Sequence, residues 1–102
     1  MIVVRTVLQA KFGTGGKLAA SFAEASKAMM TELGTRRRWR VLTDLSDTFD
    51  TVVQEIEAES LAEWETMRTR LFELAAFQAS MATMQELVVS GRNELWTVEA
   101  EG

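Results

Sequence analysis

The chain reads as an α+β domain in the order strand–helix–strand–strand–helix–strand. Three observations carry that reading. Two long stretches repeat apolar residues at helical spacing, four stretches alternate with the two-residue period of strands, and glycines fall near the boundaries between them. At 102 residues this is a single domain, 1–102, with one core.

Residues 2–12 form the first predicted strand. Ile2, Val4, Thr6, Leu8 and Ala10 share one face, and Val3, Arg5, Val7, Gln9 and Lys11 share the other. The first set suits a core. The second is too apolar for water and too polar for a dry interior. Gly13-Thr14-Gly15-Gly16 breaks the strand, and Thr14 is placed to cap a helix over 15–33. Leu18, Phe22, Ala25, Met29 and Leu33 make its apolar stripe, and Gly34 supplies the left-handed residue that ends it.

Strands are predicted over 36–44 and 51–58, joined by the turn-rich Leu45-Ser46-Asp47-Thr48-Phe49-Asp50. Ser60-Leu61-Ala62-Glu63 is a capping box that opens a helix over 60–90. Its stripe runs Trp64, Met67, Leu71, Leu74, Phe77, Met81, Met84 and Val88, which places Trp64 and the methionines Met67, Met81 and Met84 in the core. A helix so long predicts a bend near Phe77 to Ser80. Gly91 is read as its terminator and 93–100 as the last strand.

Composition removes several chemistries. The chain has no cysteine, histidine or tyrosine, which excludes disulfides, thiolate nucleophiles and the commonest metal ligand and general base. No metal and no cofactor are expected. The net charge of −4 argues against nucleic acid. No window reaches the ~20 apolar residues of a membrane span, and the apolar run at the N-terminus stops at Arg5. A cytoplasmic protein is expected.

Two strand–helix–strand units give a four-stranded antiparallel sheet in the order 4-1-3-2 with both helices on one face, the ferredoxin-like plan. The other sheet face is left uncovered. Leu42-Thr43-Asp44-Leu45, the strand pair leading into Glu59-Ser60-Leu61-Ala62-Glu63-Trp64-Glu65, and Leu87-Val88-Val89-Ser90-Gly91-Arg92-Asn93-Glu94-Leu95-Trp96 resemble dimeric α+β barrel proteins. The NIPSNAP-like branch is the nearest in pattern, with the antibiotic-biosynthesis-monooxygenase type as a cousin. The resemblance implies a homodimer through the open sheet face. It also implies a range of activities, from cofactor-free oxygenation to haem degradation and isomerisation, and non-catalytic members. The histidine that several of the enzymes use is missing here.

With the apolar faces turned to the helices, Arg5, Gln9, Arg38, Arg40 and Glu55 project between two such sheets. Converging polar groups in an apolar space suit a small apolar or aromatic ligand with an acidic or carbonyl group. The plainer alternative is an ion-pair network, Arg5 or Arg40 with Glu55, that fixes register. Asp44, Glu55, Glu57 and Glu94 are the available bases, of which Glu55 is the candidate for catalysis, though no two have a diagnostic spacing. Gly13-Thr14-Gly15-Gly16-Lys17 follows a strand as phosphate loops do, but it lacks their spacing and reads better as a turn. Alternation splits the arginines from Arg36 to Arg40 over two faces, which favours edge protection or barrel lining over RNA binding. Gln54 falls on the helix side, where an unpaired amide is costly.

Three functions remain: a barrel that binds a small metabolite, a cofactor-free monooxygenase- or isomerase-like enzyme, and a structural dimer module.

Overall fold

A computed structural model describes residues 1–102 and bears out the predicted order. The elements are β1 (Ile2–Ala10), α1 (Gly15–Leu33), β2 (Trp39–Thr43), β3 (Thr51–Ala58), α2 (Leu61–Leu71), α3 (Ala75–Leu87) and β4 (Val88–Thr97). The sheet order is β2-β3-β1-β4, the predicted 4-1-3-2 read from the other edge, and every pairing is antiparallel.

Alternation sorts the strands as their patterns require. Val4, Leu8 and Ala10 of β1, with Val52 and Ile56 of β3, are buried under the helices. Two clusters make the core. Leu8, Leu18, Phe22, Val52 and Leu87 pack at one end, and Met29, Leu33, Ile56, Met67 and Leu71 at the other. Each such side chain removed from water stabilises the fold by roughly 1.5–3 kcal/mol, so this layer dominates the folded state. Gln54 does lie on that side, and Ser26 of α1 answers it: the Gln54 amide donates to the buried Ser26 Oγ at 2.6 Å.

Several boundaries differ from the sequence reading. The helix expected over 60–90 is two helices, broken at Phe72–Leu74 rather than near Phe77–Ser80. Neither glycine nor proline marks the break. The chain tightens there into short-range turns, Glu73 N–H to Arg70 O and Leu74 N–H to Leu71 O. This lets Leu74, Ala76 and Phe77 pack back against the cluster around Met67 and Leu71. Gly91 does not end a helix. It lies inside β4 opposite Leu8, and α3 passes into β4 at Val88 with no loop. β2 is shorter than 36–44, and residues 98–100 are not strand.

Thr14 does not cap α1 with its side chain. Its hydroxyl donates to Lys11 O, while the Asp50 carboxylate takes the N–H groups of Gly13 and Gly15, each at 2.8 Å. The capping box at Ser60 forms with one change. Ser60 Oγ accepts from Glu63 N–H, and the Glu63 carboxylate accepts from Glu59 N–H while binding Arg37 through two 2.8 Å contacts.

Candidate functional site

Register aligns four charges across the open sheet face. Arg40 lies opposite Glu55, Glu55 opposite Arg5, and Arg5 opposite Glu94. The signs alternate strand by strand over β2, β3, β1 and β4. Arg40 Nε donates to Glu55 Oε1 at 2.6 Å, Arg5 Nε lies 3.0 Å from Glu55 Oε2, and Arg5 Nη1 donates to Glu94 Oε1 at 3.3 Å. Glu94 also accepts from Arg92 Nε at 2.8 Å and from the Trp96 indole at 3.0 Å. The Trp96 hydrogen bond and the Arg92 contact hold the Glu94 carboxyl below the usual carboxylate range. Arg5 Nε–H is close to Glu55 but not aimed at it, so this buried donor has no partner within the chain.

The row therefore unites Arg5, Arg40 and Glu55 as the sequence suggested, and it adds Glu94, Arg92 and Trp96. Gln9 stands apart. Its amide donates to Phe49 O, and its carbonyl accepts from Thr51 Oγ1. The Leu45–Asp50 loop thus folds toward the end of the open face. Arg38 lies at the rim with its side chain 78% exposed and 4.0 Å from Glu57. Two hollows remain on this face, one of about 280 Å³ beside Val7, Gln9 and Arg92 and one of about 340 Å³ beside Val3, Arg38 and Arg40. Most of their lining is polar.

A different cavity lies between the sheet and the helices. It holds about 190 Å³ and is lined mainly by apolar side chains, among them Phe22, Trp64, Phe77, Met81 and Met84. The break between α2 and α3 puts Phe72 and Phe77 at its wall, with ring centroids 5.0 Å apart. A few polar groups enter it: Thr6, Gln54, Ser80 and Asn93. Thr6 Oγ1 donates to Asn93 Oδ1 at 2.9 Å, which fixes that part of the floor. No carboxylate lines it.

Sequence reading missed this site because its residues carry the spacing of a core stripe. Met67 is indeed core, but Met81 is 37% exposed, and Trp64 and Met84 are only partly buried. The available signal was an excess of large, adaptable side chains on one helix face beyond what a two-layer core can cover.

In the glycine turn at 13–16 the Gly13 and Gly15 N–H groups already donate to the Asp50 carboxylate, which argues against a phosphate site there. Among the clustered arginines, Arg37 is tied to Glu63 and Arg40 to Glu55. No three acidic side chains gather where they could hold a metal ion. No helix is long and apolar enough to cross a membrane.

No family model matches the chain, and no curated protein matches it. Solved structures do. An uncharacterized NIPSNAP domain protein from Burkholderia xenovorans superposes with a TM-score of 0.81 at 17% identity, covering 98% of this chain and 96% of that one. A NIPSNAP family protein from Agrobacterium tumefaciens gives 0.78 at 17% identity, covering 94% and 90%. An antibiotic biosynthesis monooxygenase-like protein from Nitrosomonas europaea gives 0.75 at 11% identity, covering 98% and 100%. At these identities the likeness establishes the fold alone: a ferredoxin-like α+β plan shared with these proteins.

Proposed function

We propose that this chain, which shares the fold of NIPSNAP domain and monooxygenase-like proteins, is a homodimeric module that binds a small apolar or aromatic molecule. The observation that carries the reading is the cavity beneath the helices, apolar in its walls with a few converging polar groups, which is the usual make-up of a ligand site. Its volume is below the roughly 300–1,000 Å³ typical of drug-sized ligands, so the molecule is small.

The ligand is assigned there rather than between the sheets. Arg5, Arg40 and Glu55 already answer one another's charge, and a ligand would have to displace those contacts. The open face is assigned to a second copy. Val3 and Leu42 are partly exposed on it, and Trp96 is 55% exposed. Cytoplasmic localisation belongs to the same proposal.

Binding is favoured over catalysis by the placement of the acids. Glu55 is held between two guanidinium groups as an ion-pair partner, and the apolar cavity contains no base. An enzymatic role would leave proton transfer to the ligand's own chemistry.

The test is recovery of a bound compound. Protein purified without denaturation, then unfolded and extracted, should release a small apolar molecule detectable by mass spectrometry. Added back, that compound should raise the melting temperature of the wild type but not of Ser80→Leu, which fills the cavity. Equal rescue of both proteins would place the ligand elsewhere.

A further inference from the structure

Arg68 is the one charged residue on the wall of the helix-side cavity. It stands near the end of α2 with its guanidinium 4.9 Å from the centroid of the Phe72 ring. Phe72 in turn packs on Phe77, so the cation is the outer member of an aromatic row that leads into the apolar space. Arg5, Arg37, Arg38, Arg40 and Arg92 each lie within ion-pair distance of a glutamate; Arg36, Arg68 and Arg70 do not, and of these three only Arg68 borders this cavity. An arginine held over an aromatic ring, free of carboxylates and bordering a cavity without acids is arranged to receive an anion.

We infer that the ligand of this cavity is an amphiphilic anion: an apolar, preferably aromatic body with one carboxylate or enolate group paired to Arg68. The inference rests on the cavity reading above and narrows it to a class. The body lies among Trp64, Phe77 and Met81, where it removes apolar surface from water. The anionic head stays at the mouth, where the guanidinium offers a planar fork of donors that fits a carboxylate. Stacking on Phe72 limits the freedom Arg68 must lose when the ligand arrives. The buried Gln54 and Ser80 and the exposed Asn93 are neutral and can serve an uncharged carbonyl or hydroxyl, but they supply no positive charge for a second anion.

The experiment compares 1-naphthaleneacetate with 1-naphthaleneacetamide, which share a ring system and differ in charge. Titration calorimetry is run on the wild type, Arg68→Gln, Arg68→Lys and Ser80→Leu. Wild type should bind the carboxylate about fivefold more tightly than the amide, a preference that shrinks with added salt, as for a partly exposed ion pair. Arg68→Gln should equalise the two ligands by weakening the carboxylate alone, and Arg68→Lys should restore part of the preference. Equal binding of both ligands by wild type, lost in Ser80→Leu, overturns the anion inference and leaves the cavity reading standing. A preference that survives Arg68→Gln also overturns it. Failure of both ligands to bind, or binding that Ser80→Leu does not reduce, overturns the cavity reading together with this one.

Discussion

Asp50 and Gly15 are joined across the end of the sheet: the Gly15 N–H donates to Asp50 Oδ1 at 2.8 Å, and the Gly13 N–H donates to Asp50 Oδ2. The loop between β2 and β3 thereby caps the start of α1, although Asp50 lies 35 residues after Gly15 in sequence. A negative charge at a helix N-terminus also meets the favourable end of the helix dipole. The fit is close, since a Cβ on Gly15 would come within 2.9 Å of Asp50 Cα.

Asp50 has a left-handed backbone at φ 63°, so two effects can be separated there. Asp50→Ala loses the cap and keeps the strained conformation, and it should cost about 1–3 kcal/mol in urea unfolding. Asp50→Gly loses the cap but relieves the backbone, so it should cost about 1 kcal/mol less than alanine. If both variants melt like wild type, the carboxylate is not the cap.

Gly91 offers a second steric test. A Cβ there would lie 2.7 Å from Leu8 Cδ2, and Leu8 is buried in the core with little room to turn. Gly91→Ala should therefore destabilise by about 1–3 kcal/mol through overpacking. Combining it with Leu8→Ala should cost less than the sum of the two single changes. Strict additivity in denaturant melts would show that the contact is relieved elsewhere.

These residues also mark where sequence reading stops. Strand order, open face and the first helix were legible because alternation and helical spacing are local and repeat over many residues. Gly91 was misplaced because a glycine that ends a helix and one that admits a neighbouring side chain look alike in one dimension. The break at Phe72–Leu74 has no glycine or proline to announce it, and Asp50 caps a helix 35 residues away. The candidate row was half legible. Alternation supplied Arg5, Arg40 and Glu55, but Glu94 joined the row only through the register of β4 against β1. The cavity was hidden because its lining is spaced like core.

The charged row predicts coupling. Arg5→Ala leaves Glu55 with Arg40 and Glu94 with Arg92, while Glu55→Ala leaves Arg5 with Glu94 alone. The Glu55 side chain is only 14% exposed, so its pairs should exceed the surface norm of roughly 0–1 kcal/mol. Each single change should cost about 1–2 kcal/mol, and the double change about 1 kcal/mol less than their sum, because both single changes remove the same Arg5–Glu55 contact. Simple addition of the two losses would mean that the residues act independently.

Acid should weaken the fold through two carboxylates. Arg37 holds Glu63 below the usual range, and the Trp96 indole and Arg92 do the same for Glu94. A carboxyl whose folded pKa is depressed contributes its full stability above the unfolded value of about 4.3 and loses it as pH falls through the folded value. With no histidine in the chain, no side chain has an unperturbed pKa between about pH 5 and 7. The melting temperature should be nearly flat there and drop below about pH 4.3. The Glu63→Gln, Glu94→Gln double variant should show a shallower acid limb, and an unchanged limb would assign the effect to other groups.

The open sheet face gives the last prediction, dimerisation. Val7 and Val53 are already covered on it, but Leu42 and Val3 are partly exposed and Trp96 is 55% exposed beside the charged row. A twofold contact sets this face against itself, so the apolar edge residues meet apolar residues. Such an interface should bury more than about 1,200 Å². Leu42→Glu places a carboxylate in that contact on both copies, where like charges and lost apolar area act together. Light scattering should report a wild-type dimer and a Leu42→Glu monomer at micromolar concentration. Phe12→Glu, on an exposed ring outside the face, should remain dimeric. A monomeric wild type would remove the second copy from the proposal but leave the helix-side cavity intact, since every residue that lines it comes from one chain.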